Sequence, residues 1–307
     1  MTNSKRKVNA KKTPPSVTKN VPNSKDLGVY APLAMPMTSY ISKVGVHTTL
    51  WMFVALYLPR TKFFLGELVD LEWGEQNQVS LDQPQHPFLD ALTVNPASTL
   101  IYICLGAAIL QMMWAGTMRD WWLKLGVRGS EDERRTEIAL LNRQKFTITR
   151  NACAATIAAS FFIHFILILF GAPITSLVLK TYLLSLLISI ITVYPPAYTI
   201  GISITGNNSA SIVNRWTWVR LFTEFQVRNP VERNFVYSEV GTVVGCWLGI
   251  IPLALDWIRP WQAWPLTPAF GAIAGYIIAT LSALTVSIVV QLAEDHRRAQ
   301  DSLEKSE

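Results

Sequence analysis

The sequence predicts an all-α membrane protein of about six transmembrane helices with both termini in the cytosol. Three observations carry that expectation. Half of the 307 residues are hydrophobic and only 16% are charged. The apolar residues are gathered into blocks long enough for a bilayer core, which takes about 20 helical residues to cross. The Lys and Arg residues fall almost entirely in alternate connections between those blocks. No block shows the period-two alternation of a transmembrane strand.

Residues 1–39 are rich in Lys, Asn, Pro and Ser and contain no apolar run after the first bases. They read as a disordered basic cytosolic arm rather than a signal peptide, which would place a short apolar region beside its charges. Residues 40–293 form the transmembrane region. Its apolar stretches run over 41–58, 97–118, 152–171, 176–200, 236–255 and 268–292. The first is the most polar, with Lys43, His47, Thr48 and Thr49 inside it. The fourth contains Pro195-Pro196, which removes two backbone donors and predicts a break or kink near Tyr194. Residues 294–307 form a cytosolic tail.

Orientation follows from the bases. The arm through Lys43, the connections 119–151 and 202–235, and the tail hold 23 Lys and Arg; the alternate connections hold only Arg60, Lys62 and Arg259. The positive-inside rule then places the second set, with the acidic residues Glu67, Asp70, Glu72, Glu75, Asp82 and Asp90, on the far side of the membrane. Bases lying between apolar blocks also explain the formal charge of +6 without nucleic acid. The connection 119–151, with the run Glu131–Arg135 and then Glu137-Ile138-Ala139-Leu140-Leu141, reads either as a short surface helix or as a solvated linker.

The densest candidate site is the turn at 255–265, between the last two blocks. It holds Asp256, Trp257, Arg259, Trp261 and Trp264 with two prolines. Indoles bury their bodies and keep their N–H groups wet at a bilayer edge. Two readings stand. Asp256 pairs with Arg259 and the indoles anchor an interfacial turn; or the Arg259 guanidinium, a planar two-pronged donor, binds a lipid phosphate at a depth set by the indoles. On either side of the turn lie glycines four residues apart, Gly241, Gly245 and Gly249 before it, Gly271 and Gly275 after it. That spacing makes a small-residue packing face.

Other polar residues in the blocks are few. His164 needs only one hydrogen bond to be a satisfied core residue. Glu239 reads as a partner of Arg233 or as a headgroup-layer residue. Cys104, Cys153 and Cys246 lack disulfide or zinc spacing. There is no HExxH, P-loop or GxSxG motif, and His86 is the only histidine in a far-side connection. The expectation is therefore no catalytic residue, no metal and no cofactor.

The run Val240-Gly241-Thr242-Val243-Val244-Gly245-Cys246-Trp247-Leu248-Gly249, then Pro252, the turn Leu255-Asp256-Trp257-x-Arg259-Pro260-Trp261-Gln262-x-Trp264-Pro265, and Gly271 with Gly275-Tyr276 resembles the phosphatidylinositol-glycan biosynthesis class F proteins. The resemblance is most specific over 237–280 and extends to Thr192-Val193-Tyr194-Pro195; the basic arm and long connections are similar to fungal members. It implies a multi-pass protein of the endoplasmic reticulum membrane. It further implies an accessory, stabilising subunit for ethanolamine phosphate transfer to the mannoses of glycosylphosphatidylinositol (GPI) anchors, working through a catalytic partner subunit. A lipid transporter or flippase is the alternative. That would call for a polar path or inverted repeats, whereas the blocks offer only His164, Gln111 and Lys180. A catalyst using the carboxylates of 59–96 is the third.

Overall fold

The computed structural model describes residues 36–61, 86–126, 131–202, 208–257 and 259–304. Most of the basic arm, most of the acidic connection (Glu67, Asp70, Glu72, Glu75 and Asp82 included) and Ile258 lie outside the described residues. Among the described residues, six helical segments are long and apolar enough to cross a membrane, and no strand occurs.

The first is α1 (Met37–Leu56). Its polar residues are absorbed by the bundle: His47 and Thr48 are buried, and the Lys43 ammonium lies 4.7 Å over the Trp121 ring. A short helix, α2 (Pro87–Thr93), begins at His86, whose Nδ1 accepts from the Phe88 N–H at 3.1 Å. α3 (Pro96–Gly126) follows, its first turn closed by Asn95, which accepts from the Ser98 N–H at 3.2 Å. These contacts satisfy amides that a helix start leaves without partners.

The connection after α3 holds a mostly exposed helix, α4 (Glu131–Asn142), in the place where the sequence left helix and linker open. α5 (Lys145–Leu169) starts earlier than its apolar block because helix continues through the polar residues before it. The fourth span is α6 (Val178–Thr192) followed directly by α7 (Tyr194–Ile200). The proline pair does not end the span. Pro195 falls in the first turn of α7, where a missing N–H costs little. Arg119 of α3 then donates to Tyr198 O and Thr199 O, both at 3.1 Å, covering carbonyls that the end of α7 leaves open.

α8 (Ser209–Phe222) is capped by Asn208, which accepts from the Ser211 N–H at 3.2 Å. It is tied to α9 (Pro230–Leu248) by Arg220, which donates to both oxygens of Glu232 at 3.0 and 2.6 Å. Glu232 also accepts from the Arg228 N–H at 2.6 Å. The Glu232 hydrogen bonds hold the Arg220 pKa above its ordinary value against the opposing effect of burial. Arg233 donates to Ser287 at 2.9 Å rather than to Glu239, which removes the first of the two readings of Glu239.

α10 (Leu266–Glu304) has 39 residues, about 58 Å at about 1.5 Å per residue. That exceeds a hydrocarbon core of about 30 Å, so its last part projects beyond the bundle. The residues read as a tail are helical to Glu304, with Arg298 3.5 Å from Glu294 and from Asp295 on the exposed surface.

Of three buried clusters, the smallest gathers Ala115, Ala152, Tyr194 and Ala197, and two larger ones fill most of the interior. One joins Trp51, Leu100, Ile103, Leu184, Leu187, Cys246 and Tyr276. The other, nearer the basic end, joins Tyr40, Trp114, Met118, Leu221 and Phe235. In lipid, helices gain little from burying more hydrocarbon, so shape and polar contacts decide the arrangement.

Candidate functional site

The turn between α9 and α10 is held by the hairpin that carries it. Gly241 and Gly245 of α9, with Gly249 just beyond its end, meet Gly275, Gly271 and Thr267–Pro268 of α10 in antiparallel register. A Cβ on any of the five glycines named above would stand within 3.0 Å of a backbone atom of the other helix. The two backbones are in contact, and the small-residue face is closed within this chain.

At the end of the hairpin, short 3-10 turns at Ile251–Ala254 and Pro260–Gln262 flank the exposed Asp256 and Trp257. An open cleft is lined by Asp256, Trp257, Arg259 and Trp261. The Trp257 and Trp261 rings meet edge to face with centroids 5.8 Å apart. Trp257 is 55% exposed, so its ring stands clear of the bundle.

The five residues grouped by sequence separate into two sets. Four surround the cleft. Trp264 turns the other way: its Nε1 donates to Thr181 Oγ1 of α6 at 3.0 Å, and its ring packs on the main core cluster. It fixes the end of α10 against α6. Among the described residues Asp256 and Arg259 form no ion pair, so the interfacial turn is not held in the way the spacing suggested.

The clasp is Gln262. Its Oε1 accepts from the Arg259 N–H at 2.8 Å, and its Nε2 donates to Pro252 O at 2.7 Å and Leu255 O at 2.8 Å. Sequence reasoning passed over this residue. The signal was available: a neutral amide, with two donors and one strong acceptor, sits in a turn where prolines have removed amide hydrogens and left carbonyls to be satisfied. With the backbone closed by Gln262, the Arg259 guanidinium makes no hydrogen bond among the described residues.

The remaining candidates lie elsewhere. His164 is in the C-terminal part of α5, its ring 6.0 Å from the Tyr182 ring, with its Nδ1 unpaired. Cys104 and Cys246 are buried and Cys153 is exposed, all as free thiols. Among the described residues no three His, Cys, Asp or Glu side chains come together as a metal-binding group.

The chain is 32% identical over 133 residues to the mouse protein named GPI ethanolamine phosphate transferase, stabilizing subunit, an alignment covering 43% of this chain and 56% of that one. The human protein of the same name is 30% identical over 155 residues, covering 50% and 64%. Glycosylphosphatidylinositol anchor biosynthesis protein 11 of Yarrowia lipolytica is 30% identical over 169 residues, covering 53% and 69%. The chain thus spans less than two thirds of the mouse and human relatives' length. No solved structure matches it. The family model for GPI biosynthesis proteins matches residues 84–284, which takes in the cleft, its glycine-lined stem and every long helix but the first and the second half of the last. By that match over more than half of its length, the chain belongs to the GPI biosynthesis protein family Pig-F.

Proposed function

We propose that this chain is a non-catalytic, stabilising subunit of a GPI ethanolamine phosphate transferase in the endoplasmic reticulum membrane. Its partner is the catalytic subunit that carries the transfer chemistry. The observation that carries this reading is the family match over 84–284 together with relatives named as stabilizing subunits. Its physical basis is helix packing: a multi-pass chain holds a partner by presenting shaped, lipid-facing helix surfaces. α5 is suited to that, with Phe161, Phe162 and Phe165 at 58–66% exposure. Lys and Arg placement supports a luminal position for the 255–265 turn.

The cleft deepens the reading. Asp256, Arg259 and the nearby indoles position a lipid phosphate or the partner's juxtamembrane segment at headgroup depth. The planar guanidinium supplies two parallel donors, and the indoles fix its height in the interface.

Two measurements test these statements. Tagged chain purified from mild detergent should bring down a transferase subunit, and removing the chain should lower that subunit's steady-state level. If the transferase is recovered at full level and full activity without this chain, the stabilising role is wrong. Arg259→Ala should leave the chain folded while reducing anchor transfer or complex assembly. Wild-type values for both would remove Arg259 from the site. Lipid flipping by the purified chain alone in vesicles would instead favour a transporter.

A further inference from the structure

Glu239 is the acidic residue that the packing of α9 leaves unanswered. It is half-buried, and among the described residues it makes no hydrogen bond and no ion pair. Three basic groups at the same end of the bundle are engaged elsewhere: Arg233 with Ser287, Arg220 with Glu232, and Arg119 with the carbonyls of Tyr198 and Thr199.

Depth makes this position costly. The Arg233–Ser287 contact and the Arg220–Glu232 pair mark the basic end of α9. Glu239 lies further along the helix, about 9 Å inside that edge at about 1.5 Å per residue. An ionised carboxylate is expensive in hydrocarbon, and protonating it still leaves a donor and an acceptor unpaired. Val243 and Trp247 continue the row at four-residue spacing and are 58% and 66% exposed, with Val240 and Val244 beside them at 46% each. Trp247 stands about 21 Å from Arg233 along the axis, still within a core of about 30 Å. Its indole N–H makes no hydrogen bond among the described residues. Lipid tails answer neither the carboxylate nor the indole donor. Polar groups on a membrane helix are matched by a neighbouring helix, and tryptophan is among the residues that dominate protein interfaces.

We infer that the row Glu239–Val243–Trp247 is the docking face for a transmembrane helix of the partner, one that carries a Lys or Arg at the depth of Glu239. The inference rests on the stabilising-subunit reading above and adds the chemistry of the contact. A base is selected over a neutral group because an opposite charge offsets the desolvation of the carboxylate. The valines give an apolar surface between the two polar ends. The indole packs on the same helix about 12 Å further along and donates to it.

Co-purification tests it. Tagged chain is expressed in cells that lack the native copy, and the transferase subunit recovered with it in mild detergent is quantified. Glu239→Leu and Glu239→Gln should each lower that recovery at least about 10-fold, since removing one member of a desolvated charge pair leaves the other unpaired. The purified Glu239→Leu chain should keep or raise its Tm, because it loses no contact within the chain and sheds an uncompensated charge. Wild-type recovery with Glu239→Leu overturns the docking face, and wild-type recovery with Glu239→Gln overturns the basic partner. A lowered Tm assigns Glu239 to the chain's own packing and also overturns the proposal. A photoreactive benzophenone side chain in place of Val243 is an independent arm and should crosslink to the transferase subunit; adducts with lipid alone overturn the docking face. If the wild-type chain itself recovers no transferase, the stabilising-subunit reading fails and this inference with it.

Discussion

α10 packs two opposite kinds of surface. Toward α9 it presents Gly271, Gly275 and Ala279, and the two backbones touch. Toward α1 and α3 it presents Tyr276 and Thr280, and the contact is made by rings and hydrogen bonds: His47 at 2.8 Å, and the Trp51 ring 5.3 Å from that of Tyr276. Gly275 and Tyr276 are adjacent in sequence and serve the two faces. These two faces show how a membrane helix gains specificity without a hydrophobic gain. One face uses shape, because dispersion between close backbones is large only at contact distance. The other uses polar groups that have few alternatives in lipid.

The comparison predicts a graded set of effects. Gly275→Val should be the most severe. Its Cβ would meet Gly241 and Gly245 backbone that has no flexible end to yield, so the α9–α10 hairpin should separate and no folded monomer should survive size-exclusion chromatography. Tyr276→Ala should come next, at about 3–5 kcal/mol by analogy with other large aromatic truncations in a core. Thermal unfolding in detergent would measure it, and recovery of most of that loss by Tyr276→Phe would locate the energy in the ring. Tyr276→Phe itself should cost about 1 kcal/mol, one hydrogen bond to His47. Gly45→Ala and Gly116→Ala should be smallest. A Cβ at either meets nothing within 4 Å, and alanine favours helix, so stability should hold or rise by about 0.5–1 kcal/mol. If Gly45→Ala proved as damaging as Gly275→Val, the distinction between lining and exposed glycines would fail.

Much of the fold was legible in the residues. The number of spans follows from block length and composition. The glycine face follows from its period, because four residues return a helix to nearly the same side. The location of the cleft was legible through the clustering of Trp257, Arg259 and Trp261. Its internal logic was not. Trp264 looks like its neighbours in sequence but donates to Thr181, 83 residues away. Gln262 closes the turn on Pro252 and Leu255 through carbonyls that every residue possesses and no pattern marks. Pro195 reads as a breaker, yet lands where a helix start tolerates it. Gly106 has no glycine four residues to either side, and only the fold shows Leu58 and Val54 filling the place of its side chain.

What must leave water, how many helices are long and apolar enough to cross a bilayer, and which faces of α9 and α10 can come close are all readable along the chain. Those are properties of composition and period, written along one helix at a time. Only the tertiary structure decided which polar groups meet: His47 with Tyr276, 229 positions apart, Arg119 with the end of α7, and Gln262 with the turn behind it. A hydrogen bond needs its two atoms within about 3 Å, and that distance is set by how the helices assemble.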